Sequence, residues 1–360
     1  MKLFQVLIIL RVRLRPSFVK KPILPLLILL AAFLCVSCTT APKIDGDNPE
    51  SFLHRSDVIN LPFRISDKGL IVVTAQINDG LPVFMIVDTA ATRSAVYEDA
   101  YRRLGLRPSR ETVNVHGLVE SGVRPEITLP FIILDCAKIE SISVAVLEKF
   151  AKKSETSIEI SGLIGLDILD NYYIFFDHDR EVLSLIPTHY SSPTLPPSWA
   201  QITLKSNPYK DDGLPLKYFD MRVAGYIVPT LLDTGSEFNL ANWDAIKHPQ
   251  IRATRRKLKR KWELSGAIGK FEPRLKVKLQ ELRGGQKFWN RKEFLVLNFE
   301  SLNILGVNDQ PFMIAGVDML TNNTFWLDLD VGEIAFKPSV DERAYMPQES
   351  EYKIIVKPDL

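Results

Sequence analysis

Asn78-Asp79-Gly80-Leu81-Pro82-Val83-Phe84-Met85-Ile86-Val87-Asp88-Thr89-Ala90-Ala91 decides the reading, because the chain writes it a second time as Val223-Ala224-Gly225-Tyr226-Ile227-Val228-Pro229-Thr230-Leu231-Leu232-Asp233-Thr234-Gly235-Ser236. In both copies a strand-like run (Ile71 to Ile77; Tyr218 to Val223) reaches a glycine turn, and a second apolar run ends at an aspartate eight residues after the glycine. The copies match again downstream. Gly162 to Leu169 (Gly-Leu-Ile-Gly-Leu-Asp-Ile-Leu) answers Ile314 to Leu320 (Ile-Ala-Gly-Val-Asp-Met-Leu), and Phe175 to Pro187 answers Trp326 to Pro338. The offset is 145 residues at the aspartates (233 − 88) and 151 at the later glycines (316 − 165), so the second copy carries a net insertion of six residues between them.

Between the copies, Thr188 to Trp199 is rich in proline and serine and reads as an extended linker. Most of each copy consists of short apolar or alternating runs bounded by Gly, Pro, Asn and Asp, the pattern of β-strands. Short helical patterns are placed at Ser94 to Leu104, Trp243 to Lys247, Asp167 to Asn171 and Asp318 to Asn322. The expectation is a mainly β chain with two homologous barrel lobes forming a pseudo-dimer. Its segments are a signal peptide (1–37), a linker (38–57), an N-terminal lobe (58–188), an interlobe linker (189–200), a C-terminal lobe (201–338) and a tail (339–360).

Composition narrows the partners. The net charge of +2 on 360 residues is too small for a nucleic-acid-binding surface, and 46% hydrophobic content is ample for two cores. Lys20 and Lys21 lead into the apolar block Pro22 to Leu34, too short to span a bilayer but suited to a signal-peptide core. The following Cys35-Val36-Ser37-Cys38 resembles a bacterial lipobox, departing from it at Cys35, and implies lipidation of Cys38, a membrane partner and a cell-envelope location. Cys136 reads as a small buried residue of the body.

The paired Asp-Thr motifs, each ending an apolar strand and each followed by an apolar-apolar-Gly segment, resemble the retropepsin-like aspartic proteases, and more distantly pepsin, over roughly Val58 to Pro338. The resemblance implies that Asp88 and Asp233 are catalytic, that Thr89 and Thr234 link the lobes in support of them, and that Ala90 and Gly235 hold the aspartates through backbone N–H groups. Two carboxyls brought together share a proton, so one serves as base and the other as acid at the same pH, without metal or cofactor. A peptide or protein substrate would lie under hairpin flaps, for which Val113 to Gly122 with His116 and Gly117, and Leu264 to Phe271 with Ser265 and Gly266, are the candidates. Because both aspartates stand in one chain, a monomer suffices.

Ala90 departs from the family's glycine, so the alternative to an aspartic endopeptidase is a lipid-anchored protein that holds peptides and no longer cuts them. Arg252 to Lys261, with seven basic residues in ten, reads as a solvated loop or a contact for anionic lipid or an acidic substrate. The histidines form no zinc-binding spacing, and Gly-x-Ser-x-Gly is absent. Asp167 and Asp318 are expected to cap the helices they begin, and Asp177/Asp179 and Asp328/Asp330 to shape turns.

Overall fold

The computed structural model describes residues 7–10 and 48–338, except 108–109, 118–120, 149–156, 298–304, 308 and most of 248–274. It is mainly β. The strands are β1 (Leu7–Leu10), β2 (Ile59–Ile65), β3 (Ile71–Ile77), β4 (Pro82–Val87), β5 (Ala95–Tyr97), β6 (Thr112–Gly117), β7 (Ser121–Leu134), β8 (Ala137–Leu147), β9 (Ile160–Ile164), β10 (Tyr172–Asp177) and β11 (Val182–Pro187). The second copy follows with β12 (Ala200–Thr203), β13 (Tyr218–Val223), β14 (Tyr226–Leu232), β15 (Asn239–Ala241), β16 (Ala253–Lys257), β17 (Leu264–Ser265), β18 (Lys270–Phe271), β19 (Leu275–Gly284), β20 (Lys287–Val296), β21 (Met313–Ala315), β22 (Phe325–Asp328) and β23 (Glu333–Phe336).

Each copy closes on itself. In the first, β3-β4-β9-β5-β8-β7 are neighbours in that order and β7 pairs back to β3; in the second, β13-β14-β21-β15-β20-β19 return to β13 in the same way. Closure leaves no free edge within each six-stranded ring, and the inward side chains form the core. The strand ending in Asp88 runs parallel to β9, with Ile86 opposite Leu163, and its mate repeats this with Leu231 opposite Ile314.

A third sheet joins the lobes, in the order β2-β11-β10-β22-β23-β12. Its centre is the pseudo-twofold axis: Phe175 pairs with Trp326, its own counterpart at offset 151, flanked by Ile174 opposite Leu327 and Phe176 opposite Phe325. Strand alternation sends Phe176, Phe325 and Phe336 to one face, where Phe63 stacks on Phe176 at 4.4 Å and Phe176 on Phe325 at 4.9 Å. The opposite face carries Tyr173, Phe175, Trp199 and Trp326 against Phe52. Burial on both faces explains the unbroken apolar run Tyr-Tyr-Ile-Phe-Phe of β10.

The helices are short: α1 (Glu98–Arg103), α2 (Leu166–Leu169) and α3 (Trp243–Ile246), with a 3₁₀ turn at Val317–Met319 matching α2. The helical pattern that began at Ser94 is a strand until Tyr97, because β5 is inserted between β8 and β9. Cys136 is exposed rather than buried, since it lies in the β7–β8 turn just after Asp135, whose φ is +50°.

Asp177 and Asp328 accept the backbone N–H groups two and three residues on, at 2.9–3.1 Å, and so shape equivalent turns. Cys38 lies outside the described residues, as do residues 1–37 except β1, which pairs with β6 (Leu7 opposite Gly117, Leu10 opposite Asn114).

Candidate active site

The ends of β4 and β14 meet across the axis. Thr89 N–H donates to Thr234 Oγ1 at 3.0 Å, and Thr234 N–H donates to Thr89 Oγ1 at 3.1 Å. Each hydroxyl then donates across the lobes, Thr89 to Leu232 O at 3.1 Å and Thr234 to Val87 O at 2.7 Å. All four bonds are buried, and a lost partner in such a lattice leaves a polar group without compensation, so a hydroxyl side chain is needed at both positions.

This lattice presents the two aspartates. Asp88 N–H donates to Ile164 O and Asp233 N–H to Ala315 O, both at 3.0 Å, so each aspartate is fixed by the strand preceding the later glycine. Asp88 Oδ1 accepts from Ala90 N–H and Asp233 Oδ1 from Gly235 N–H, both at 2.9 Å. Ala90 thus makes the backbone bond expected of it, and it is not among the described residues with positive φ. Its Cβ matters elsewhere. A Cβ built at Gly235 would lie 2.3 Å from Asp88 Cγ, so the Asp88 carboxyl rests directly on the glycine of the other lobe. The pseudo-twofold mate of that contact is Asp233 against Ala90, where a methyl group stands.

Both aspartates are fully buried, and Oδ2 of each has no hydrogen-bond partner among the described residues. The residue three places after each aspartate offers no hydroxyl to them: Ala91 has none, and Ser236 Oγ donates to Phe238 O at 2.5 Å. Burial pushes the Asp88 carboxyl up to about 7, against the lowering effect of the Ala90 and Ala91 N–H groups. Burial, and then the charge of Asp88, hold Asp233 well above the usual carboxylate range. Two such carboxyls titrate as a unit.

Asp167 and Asp318 do not cap their helices, whose N-cap residues Gly165 and Gly316 have no side-chain cap bond. Asp167 Oδ1 instead accepts from Ser94 N–H at 2.8 Å and Ser94 Oγ at 2.7 Å, while Ser94 Oγ also accepts Gly165 N–H at 3.0 Å. Asn239 does the same work in the second copy, donating to Asp318 Oδ2 at 2.9 Å and accepting Gly316 N–H at 3.0 Å. This repeated clasp ties the turn after each aspartate to the later glycine. Ser94 and Asn239 share the offset of 145, which was the available signal for it.

Of the flap candidates, β6 and β7 form an antiparallel hairpin in which His116 pairs with Ser121, and His116 Nδ1 lies 2.7 Å from Ser121 Oγ. Partial burial lowers the His116 pKa. Gly117 ends β6, and Ser265 ends β17, which pairs with β18; Gly266 lies outside the described residues.

A family model described as an aspartyl protease matches residues 73–168, a stretch that contains Asp88 and Gly165. No curated protein matches the chain. Among solved structures, the chain is similar to basic 7S globulin from soybean at 11% identity, covering 79% of this chain and 96% of that one with a TM-score of 0.43. It is also similar to a retropepsin-like aspartic protease from Rickettsia conorii at 20% identity, covering 36% of this chain and 88% of that one with a TM-score of 0.24. The two-barrel architecture is aspartic-protease-like.

Proposed function

We propose that the chain binds an extended polypeptide between its lobes and hydrolyses it with Asp88 and Asp233. The observation that carries this reading is the reciprocal Thr89–Thr234 lattice, which brings the two strand ends together with each carboxyl held by an N–H group of its own lobe. A shared proton makes one carboxyl the base that takes a proton from water and the other the acid that gives one to the carbonyl oxygen as the water adds. The tetrahedral diol then collapses: its C–N bond breaks as the carboxyl that took the proton of water gives it to the leaving nitrogen, and the other carboxyl recovers its proton from a diol hydroxyl, leaving acid and amine with no covalent enzyme intermediate. Cis supply of both aspartates makes one chain sufficient.

A second reading, a peptide-binding protein that no longer cuts, is favoured by Ala90 and by the complete burial of both carboxyls. It needs only the scaffold, so the architecture and the family match support it more directly than they support hydrolysis. Attachment of either form to a bacterial envelope membrane through Cys38 rests on the leader sequence. No helix among the described residues is long and apolar enough to cross a membrane.

Incubation with a diverse peptide mixture separates the readings. New peptide termini detected by mass spectrometry support hydrolysis, and peptide retention without new termini supports the second reading. Neither outcome would leave both without basis.

A further inference from the structure

Among the described residues outside the aspartate site, the pseudo-twofold relation breaks down at Arg93 and its counterpart. In the first lobe Arg93, five residues after Asp88, turns into the barrel wall: Nη1 lies 2.7 Å from Glu126 Oε1, and Nη2 donates to Ser143 O at 3.0 Å. The pair is largely buried, with side-chain exposures of 17% and 4%. Strand register identifies the counterparts. Ala95 pairs with Ala145, which faces Glu126; Leu240 pairs with Leu295, which faces Lys276. Lys276 thus stands where the first lobe has Glu126, Glu293 where it has Ser143, and Phe238 where it has Arg93.

The internal plug is gone, and the charge of the wall residue is reversed. What remains is a cavity of about 460 Å³ whose lining includes Phe238, Lys276, Lys278, Arg291, Lys292 and Glu293. Glu293 serves two ammonium groups at once, contacting Lys276 and lying 3.8 Å from Lys278 Nζ. Lys292 is 3.3 Å from Asp318, whose other oxygen is taken by Asn239. Arg291 has no carboxylate within ion-pair distance among the described residues. Counting Glu237 as well, four cations meet three carboxylates on this lining.

In β16 the backbone of Arg256 stands opposite Lys276 and that of Arg255 opposite Val277. One excess positive charge on the lining and a guanidinium that no carboxylate holds among the described residues together favour an oxyanion. A planar guanidinium fork with ammonium groups beside it matches phosphate, and the cavity has more room than a bare phosphate fills.

We propose that this cavity is a binding site for a phosphate-bearing anion with an organic substituent, either the headgroup of an anionic phospholipid or a soluble phosphate ester. The site is independent of peptide cleavage and of Asp88 and Asp233. The test uses the full chain with two probes: glycerol phosphate by titration calorimetry, and phosphatidylglycerol vesicles against phosphatidylcholine vesicles by co-sedimentation. Arg291→Ala and Lys278→Ala, both at solvent-facing side chains, are compared with the parent after circular dichroism confirms the fold.

Binding of either probe that weakens at least tenfold in each variant, and falls as salt rises, is the expected result. Binding of the anionic vesicles alone assigns the phospholipid headgroup, and binding of glycerol phosphate as well assigns the soluble ester. The proposal is overturned if the parent binds neither probe, or if both variants bind as the parent does.

Discussion

Adding one methyl group at Gly235 is expected to disable the aspartate site while leaving the C-terminal barrel folded. The new Cβ would lie 2.3 Å from Asp88 Cγ, 2.3 Å from Oδ2 and 2.7 Å from Oδ1, against an ordinary carbon contact of about 3.5 Å. Roughly 1 Å must be found. It cannot come from a free-swinging side chain, because Ala90 N–H holds Asp88 Oδ1 and Ile164 O holds the Asp88 backbone. Either the carboxyl leaves its bond or the lobes move apart against the threonine lattice.

Overpacking of this kind costs about 1–3 kcal/mol, and a displacement near 1 Å at a reacting group costs on the order of a hundredfold in kcat/KM. Chemical denaturation and peptide-cleavage kinetics of Gly235→Ala measure the two effects. Ala90→Gly is the control: it removes the methyl from the mate of the same contact and is expected to preserve or raise activity. Gly235→Ala with parental stability and kcat/KM within about threefold of the parent would refute the reasoning.

Two further outcomes follow from the same geometry. Thr89→Val keeps the shape of the side chain but leaves Thr234 N–H and Leu232 O without their partner, so denaturation should show a loss of about 1–3 kcal/mol per orphaned group, more than the same change at exposed Thr128. The Asp88 carboxyl is raised to about 7 from an ordinary 3.8, so the folded state holds a proton that the unfolded state gives up between those values. Its contribution is fully present below about pH 3.8 and is lost as pH rises through about 7. Denaturation at pH 4 and pH 7 should therefore show a larger decline with pH for the parent than for Asp88→Asn, whose amide does not titrate.

Much of the fold was legible because it is written twice. The constant offset of 151 from Gly165 to Pro187 anticipated that β10 and β22 would occupy equivalent places, and Phe175 opposite Trp326 puts the axis between them. The six-residue insertion is also resolved by register: Glu126 and Lys276 differ by 150, so five of the six residues enter before β19, in the segment holding the basic run, and one after it. The Asp-Thr pairing was readable for the same reason.

What sequence missed are contacts between residues far apart in the chain. Asp167 begins a helical pattern and therefore suggests a cap, but only the closed barrel brings Ser94 within 2.8 Å of it. Ala90 draws attention as a backbone problem, yet its φ is not positive and its N–H reaches Asp88 Oδ1. Cys136 follows an apolar strand and so reads as buried, whereas the tight β7–β8 turn carries it to the surface. The cavity beside Phe238 had no local signature, since it arises from a substitution at Arg93's counterpart and a charge reversal at Glu126's, on different strands.

The most direct test of the account is the rate of peptide cleavage by the parent chain and by Asp88→Asn and Asp233→Asn, measured across about pH 3 to 7 with fold verified for each. Cleavage in the parent that is lost in both variants is the predicted result. Cleavage that survives either substitution, or a parent that binds peptides without cutting them, would contradict a shared-proton pair that hydrolyses its substrate.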